Sequence, residues 1–181
     1  MIRGTAHPTE KVIMEEFYLY LYCGESLSTH VNNHPGDFVV DLPKTYLLEG
    51  RWECALTELT LHPQTERRTE RLYLCSDLVQ GSYLKNIFLP VLRSVDPAQE
   101  GTLDLEFGRP YYTRMRQMEL NRVRIFIRDD RLQPCRFKIG RLYCTLHLKK
   151  TKTGVYINLR SQEQAMGTLH TRLQKMGAAL Y

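Results

Sequence analysis

EEFYLYLYC, residues 15–23, is the stretch that decides the fold class of this chain. Along it Phe17 and Leu19 point to one side of an extended backbone, whereas Tyr18 and Tyr20 point to the other. Strict alternation of this kind with many aromatic residues is typical of a β-strand. Both faces are apolar enough to be covered, so the stretch predicts a strand within a packed β-sheet protein.

Similar short runs recur outward from this strand, and turn-forming residues separate them. We predict further strands at residues 38–42, 51–62, 71–79, 91–95, 103–107, 122–129, 134–139 and 142–148. Residues 81–90 are ambiguous and allow a short helical turn. Eight or nine short strands favour an all-β fold with two antiparallel sheets packed face to face. An eight-stranded antiparallel β-sandwich of this kind is a single jelly roll, although the spacing also allows immunoglobulin-like connectivity.

Three residues are predicted to interrupt or shape these strands. Before Thr57 the apolar residues of the run occupy even-numbered positions, and after it they occupy odd-numbered positions. This switch predicts a β-bulge or a bend near Thr57. Pro43 is predicted to end the strand that contains Leu42, because proline has no N–H for the ladder. Gly50 is predicted to take a positive φ in the turn before Trp52, a large side chain suited to anchor the core.

The chain is predicted to have three parts. Residues 1–14 are a flexible N-terminal arm, residues 15–150 are the single jelly-roll domain, and residues 151–181 are a C-terminal extension with a short amphipathic helix. The apolar stripe of that helix has steps of three and four and comprises Met166, Leu169, Leu173, Met176 and Leu180. The stripe would pack on its own domain or on a neighbouring subunit, and the sequence leaves both open.

Composition points to a folded protein without structural disulfides. The chain has 181 residues, 43% of them hydrophobic, and a net charge of +5, which argues against disorder. Its five cysteines are odd in number and form no CxxC pair, so we expect reduced thiols in a cytosolic or nuclear protein. No signal peptide or membrane span is expected.

No catalytic, cofactor-binding or metal-binding residue is predicted. The chain lacks the common nucleophile, phosphate-loop and zinc motifs. His30 and His34 are four residues apart, but Pro35 and Gly36 follow them, which is loop composition rather than a helical ligand pair. We therefore expect the protein not to be an enzyme.

Two sets of outward residues are candidates for contacts. The aromatic residues Tyr18, Tyr20 and Phe126 are candidate interface residues, because exposed aromatic side chains mark contact surfaces. The alternative is that a loop or an extension of the same chain covers them. A row of arginines is a candidate for contact with nucleic acid, although such rows are more often solvated surface. The row comprises Arg122, Arg124 and Arg128.

Three blocks of sequence resemble one family. The first is FYLYLYCGESLSTHVNNHPGDFVVDLPKTYLLEGRWECALTEL, residues 17–59. The second is LYLCSDLVQGSYLKNIFLPVLRSV, residues 72–95, and the third is NRVRIFIRDDRLQPCRFKIGRLYCTLHLKK, residues 121–150. Together they resemble the penton-like capsid proteins of Polinton (Maverick) elements and of the related adintoviruses and adomaviruses. The first block carries the most specific match, at Phe17, Tyr18, Leu19, Ser26, Asn32, Asn33, Phe38, Val40, Leu42, Pro43, Leu48, Gly50, Trp52, Glu53, Ala55, Leu56 and Glu58.

The resemblance implies a structural protein of an icosahedral double-stranded DNA virus. Five copies of a single jelly roll would close a ring, the penton, at each five-fold vertex and contact the double-jelly-roll major capsid protein. A minor capsid or fibre protein is a further expected partner, and the net charge of +5 allows weak contact with packaged DNA. The protein would be found in the virion, and in the host nucleus or cytoplasm during assembly. Two alternatives remain: a minor cement or DNA-contacting capsid protein, and a jelly-roll glycan-binding module that uses loop 24–37.

Overall fold

The structure is a computed structural model of the 181-residue chain. It describes residues 14–24, 29–61, 69–97, 102–135, 137 and 141–151. The predicted arm before residue 14 and the predicted helix of the extension lie outside the described residues.

The described part of the chain is all-β and contains no helix. Its strands are β1 (Glu16–Tyr22), β2 (Asp37–Leu47), β3 (Trp52–Leu61), β4 (Leu72–Ser76), β5 (Ser82–Leu84), β6 (Ile87–Leu89), β7 (Val91–Val95), β8 (Leu103–Glu106), β9 (Thr113–Arg114), β10 (Glu119–Arg128) and β11 (Leu142–Lys150). Accordingly, the described residues hold no helix that is long and apolar enough to cross a membrane.

Two antiparallel sheets account for most of these strands. The first has the order β1-β11-β3-β8, with β9 also paired to β3. The second has the order β2-β10-β4-β7. Strands β5 and β6 form a separate hairpin.

Side chains from both sheets meet in one apolar core, as expected for a β-sandwich. Of the residues that carry the resemblance, Leu19, Trp52 and Leu56 are buried in this core, and Phe17 and Leu42 are half-buried against it. The Trp52 indole N–H donates a hydrogen bond of 3.2 Å to the Glu49 carbonyl, which satisfies the polar atom of this anchor.

The predicted irregularity at Thr57 is confirmed as a β-bulge. Leu56 pairs with Leu146 and Glu58 pairs with Thr145, so Thr57 is the extra residue of β3. Its hydroxyl donates a hydrogen bond of 3.1 Å to the Thr145 carbonyl. The bulge explains why the apolar residues change parity while the strand continues.

Gly50 has the predicted positive φ, at 92°. The prediction for Pro43 is wrong, because β2 continues through it to Leu47. The pairing of β2 with β10 jumps from Asp41 to Tyr46, so four residues of β2 face one residue of β10. Pro43 lies inside this irregularity, where its missing N–H leaves no gap in the ladder.

Two other local predictions are corrected. Residues 81–90 form the β5–β6 hairpin rather than a helical turn, and Lys85 in its turn has the positive φ of 53° that tight hairpin turns require. In the described residues of the strand predicted at 134–139, Pro134 and Phe137 are isolated bridge residues rather than a continuous strand. Pro134 bridges to Arg128, and the Cys135 amide donates a hydrogen bond to the Ile127 carbonyl. Residues 136 and 138–140 lie outside the described residues.

Candidate assembly surfaces

The outer face of the first sheet carries the predicted interface tyrosines. In the β1–β11 ladder Tyr18 lies opposite His147, and Tyr20 lies opposite Thr145. The inward positions between them hold Leu19 and other core residues. Tyr18 is 50% exposed and Tyr20 is 77% exposed, so a large part of each ring remains accessible. Their role in an interface stays a prediction.

Tyr18 covers a buried histidine. Its ring stacks on His147, which is only 7% exposed. The Tyr112 hydroxyl is hydrogen-bonded to His147 Nδ1 at 2.7 Å, and Nε2 lies 3.3 Å from the carboxylate of Glu16 without hydrogen-bond geometry. Burial first, and then the nearby Tyr18 and Glu16, raise the pKa of Tyr112 above its usual value. The Tyr112 hydroxyl therefore stays protonated at neutral pH.

A groove of about 470 Å³ lies beside this cluster on the same face. Tyr22 and Tyr143 stack along it, with ring centroids 4.1 Å apart and planes 4° apart. The Thr145 hydroxyl donates a hydrogen bond of 2.6 Å to Glu58, and Tyr20 also lines the groove. The hydrogen bond between Tyr22 and Tyr143 is the largest cause of the raised pKa of Tyr22. The groove is thus aromatic with one carboxylate.

Carboxylates accumulate where β3 pairs with β8. Glu58 lies directly opposite Glu106, and Thr60 lies opposite Asp104. The Thr60 hydroxyl donates a hydrogen bond of 2.8 Å to Asp104. In the described part of the chain no lysine, arginine or histidine forms an ion pair with these three carboxylates. Like charges that face each other across strands repel, so this part of the face favours cationic neighbours.

The predicted arginine row lies on the outer face of the second sheet, and aspartates compensate much of its charge. Arg124 forms two hydrogen bonds with Asp37, at 2.7 and 2.6 Å. Arg122 contacts Asp41 at 2.6 Å, and this bond is the largest cause of the lowered pKa of Asp41. These short ion pairs, bidentate for Arg124, hold Arg122 and Arg124 on their own sheet. The row is therefore a weaker candidate for binding DNA than its sequence indicates.

Phe126 lies on the outer face, as predicted, but it is not an exposed aromatic residue. It is 9% exposed, because the guanidinium groups of Arg124 and Arg128 lie over its ring at 5.2 and 5.1 Å from the centroid. The expectation that it presents a bare aromatic surface is wrong. Cation–π contacts explain why an aromatic residue fits between two arginines.

The five cysteines are buried, and none of them forms a disulfide bond. Burial raises the pKa of Cys54 and of Cys75 to about 12, and that of Cys135 to about 11. Burial also raises the pKa of Cys144. A reactive cysteine needs the opposite shift, because the thiolate is the nucleophile. These thiols behave as small apolar groups of the core.

The two loop histidines have separate partners. His30 Nε2 lies 2.8 Å from Asp41, and His34 Nδ1 accepts a hydrogen bond of 3.1 Å from the Gly36 amide. No group of three metal-binding side chains occurs among the residues that the structure describes.

Sequence reasoning missed two features of the surface. The first is the cluster around His147, whose partner Tyr112 is 35 residues away in a segment without strand periodicity. The second is the segment of residues 107–118, FGRPYYTRMRQM, which contains three arginines and no acidic residue. Its charge pattern was visible in the sequence, but its position at the edge of the first sheet was not.

A scan against protein-family models and a search of curated proteins both give no match to this chain.

Proposed function

We propose that this chain is a single-jelly-roll capsid protein that forms the pentameric vertex of an icosahedral double-stranded DNA virus. The strand pairing carries the proposal. The two sheets contain eight strands besides the two-residue β9. When these eight are counted in chain order, the first pairs with the eighth, as β1 with β11, and the second with the seventh, as β2 with β10. The third pairs with the sixth, as β3 with β8, and the fourth with the fifth, as β4 with β7.

This nested pairing is what a long antiparallel ribbon produces when it rolls into two sheets. That arrangement is the jelly roll of viral capsid and lectin domains, and it supports the fold that the resemblance implies. An immunoglobulin-type sandwich groups its strands differently, with the first, second, fourth and fifth strands sharing a sheet.

The vertex role rests on the resemblance of residues 15–150 to penton-like proteins and on the exposed tyrosines of β1. A closed ring needs a head-to-tail interface in which two different surfaces of the domain are complementary. Tyr18 and Tyr20 project from a strand at the edge of its sheet, where a neighbouring subunit can reach them. Tyrosine is enriched in the buried centres of protein interfaces.

The experiment is co-expression of the full-length chain with the double-jelly-roll major capsid protein of the same virus, followed by imaging of the particles. The proposal predicts extra density of five copies at each five-fold vertex, and shells with open vertices when the chain is omitted. Closed shells of the same appearance with and without the chain would contradict the vertex role.

A glycan-binding module is a second candidate, and the tyrosine groove favours it. Sugar rings stack on aromatic side chains, and the carboxylate of Glu58 can accept hydrogen bonds from hydroxyl groups. A glycan array tests this candidate with the unmodified chain and with Tyr20→Ala. Binding that is lost in Tyr20→Ala would support the candidate, and an array without hits would remove it.

Contact with DNA is the remaining alternative, and the arginine row motivates it. If this row binds DNA, the logarithm of the affinity must fall linearly with the logarithm of the salt concentration. The slope is set by the number of phosphates that the row neutralises. We expect the triple change of Arg122, Arg124 and Arg128 to alanine to alter the slope by less than about 1, because aspartates already pair two of these arginines. A change in slope of about 3 would instead support a DNA-contacting role.

A further inference from the structure

The edge of the first sheet at β1 is acidic and aromatic. We name residues 14–24 the tyrosine flank; they contain Glu15 and Glu16 and no lysine or arginine. Both glutamates are exposed, as are Tyr18 and Tyr20. Strand β1 has β11 as its partner on one side and ends the strand order of its sheet. The flank therefore offers negative charge and aromatic surface at a sheet edge.

Part of the opposite edge of the same sheet is basic. We name residues 107–118, which connect β8 to β10 and include β9, the arginine flank. Its arginines, Arg109, Arg114 and Arg116, are all exposed, and Tyr111 beside them is 70% exposed. In the part of the chain that the structure describes, none of the three arginines forms an ion pair. The acidic residues nearby are Asp104 and Glu106 of β8 and Glu53 of β3, which lies opposite Arg114 in the ladder, so the positive charge is confined to the connection.

Backbone hydrogen bonds hold the arginine flank in place. The Met115 amide donates to the Trp52 carbonyl at 2.8 Å, and the Arg116 amide donates to the Leu78 carbonyl at 2.7 Å. Met115 is buried and forms an isolated β-bridge with Val79, which lies in the connection between β4 and β5. A segment fixed to β3 and to this connection presents its side chains without a large entropy cost on binding.

The two flanks lie too far apart to pair within one subunit. Between β1 and β9 the sheet has β11 and β3, which makes three strand spacings of about 4.8 Å each, or roughly 14 Å. Opposite charges on opposite edges of one sheet fit a head-to-tail contact between copies, in which the two edges of each subunit meet different neighbours.

We propose that the arginine flank of one copy docks on the tyrosine flank of the next copy and that this contact closes the vertex ring. The inference rests on the proposed vertex function and names the two surfaces that such a ring joins. Glu15 and Glu16 would face Arg109 and Arg116, while Tyr18, Tyr20 and Tyr111 would supply the apolar area. Charge complementarity of this kind orients the subunits. It disfavours contacts between two arginine flanks or between two tyrosine flanks, because their charges have the same sign.

Charge reversal in the full-length chain tests the contact, with the mass of the assembled species as the readout. Arg109→Glu with Arg116→Glu, and separately Glu15→Arg with Glu16→Arg, should raise the concentration for half-assembly by about tenfold or more. The chain that carries all four changes should assemble like the unmodified protein, because both flanks then have the opposite sign. Restored assembly is a result that loss of folding cannot produce.

Two matched controls accompany these variants. Arg131→Glu reverses one exposed arginine in the turn after β10 and should leave assembly unchanged, in contrast to Arg116→Glu. Tyr83→Ala removes a tyrosine that is 79% exposed on the β5–β6 hairpin and should have no effect, whereas Tyr20→Ala should weaken assembly.

The results of these experiments distinguish failure of the proposed contact between the flanks from failure of the proposed vertex role. Rings that form equally well after reversal of either flank would overturn this contact and leave the vertex role standing. A chain that stays monomeric even with the major capsid protein would contradict the vertex role and remove the contact with it.

Discussion

Tyr18 of β1 stacks on His147 of β11 with ring centroids 4.3 Å apart and planes 8° apart. The stack lies on the outer face of the sheet, where a polar side chain would ordinarily face water. Instead the tyrosine buries the imidazole, and Tyr112 supplies the hydrogen bond that the buried Nδ1 needs. The edge strand is thus joined to the rest of the sheet by side chains as well as by its ladder.

Removal of the Tyr112 hydroxyl should destabilise the protein. We expect Tyr112→Phe to lower the free energy of unfolding by about 1–3 kcal/mol, because it leaves His147 Nδ1 buried without a partner. Urea denaturation measures the change. Tyr111→Phe is the matched control, since the neighbouring side chain is largely exposed and should change stability by less than about 0.5 kcal/mol. Equal effects of the two changes would show that the Tyr112 hydrogen bond contributes nothing to stability.

Alanine at Gly50 should be unfavourable. The φ of 92° is strained for an L-residue, and a Cβ there would lie 2.9 Å from Lys150 Cε. We expect Gly50→Ala to lower the midpoint of thermal unfolding, with a cost of about 1–2 kcal/mol. Gly108→Ala should be neutral or slightly stabilising, because its Cβ would meet no atom within 4 Å and its φ is not positive. A loss of stability in Gly108→Ala that matches Gly50→Ala would contradict this explanation.

Stability should fall in alkaline solution because of the buried thiols. The pKa of Cys54 and that of Cys75 rise from 9.0 to about 12 on folding. Below about pH 9 both states keep these protons, so the stability is fully present there. Between pH 9 and 12 the unfolded chain loses protons that the folded chain retains, and the free energy of unfolding therefore decreases as pH rises.

We expect a decrease of about 1 kcal/mol for each of these two thiols between pH 8 and pH 10. Cys54→Ala should make the decrease shallower, whatever its effect on stability at pH 8. Urea titrations at both pH values measure the slopes. An identical slope in Cys54→Ala would show that this thiol does not titrate differently in the folded and unfolded states.

Most strands could be predicted from the sequence because they are long enough to alternate clearly. The alternation of Val123, Ile125 and Ile127 fixes which face of β10 enters the core, and all three are buried. The bulge at Thr57 was also predictable, since a change in parity within a continuous strand has few other causes. Local pattern suffices where one face of a strand must avoid water.

Prediction failed where the outcome depends on partners that are distant in sequence. Pro43 remains inside β2 because β10 accommodates an irregular register there, which the local sequence does not reveal. Phe126 is covered by Arg124 and Arg128 of its own strand, and Asp37 on β2 holds Arg124 in place. Whether a side chain on the outer face is exposed depends more on such neighbours than on its position in the alternation of the strand.

The most direct test of the vertex role is the native mass of the full-length chain, alone and mixed with the double-jelly-roll major capsid protein of the same virus. Native mass spectrometry gives the copy number, and negative-stain images give the symmetry. The proposal predicts a species of five copies with a five-fold ring in at least the mixture. A chain that remains a single copy in both conditions would contradict it.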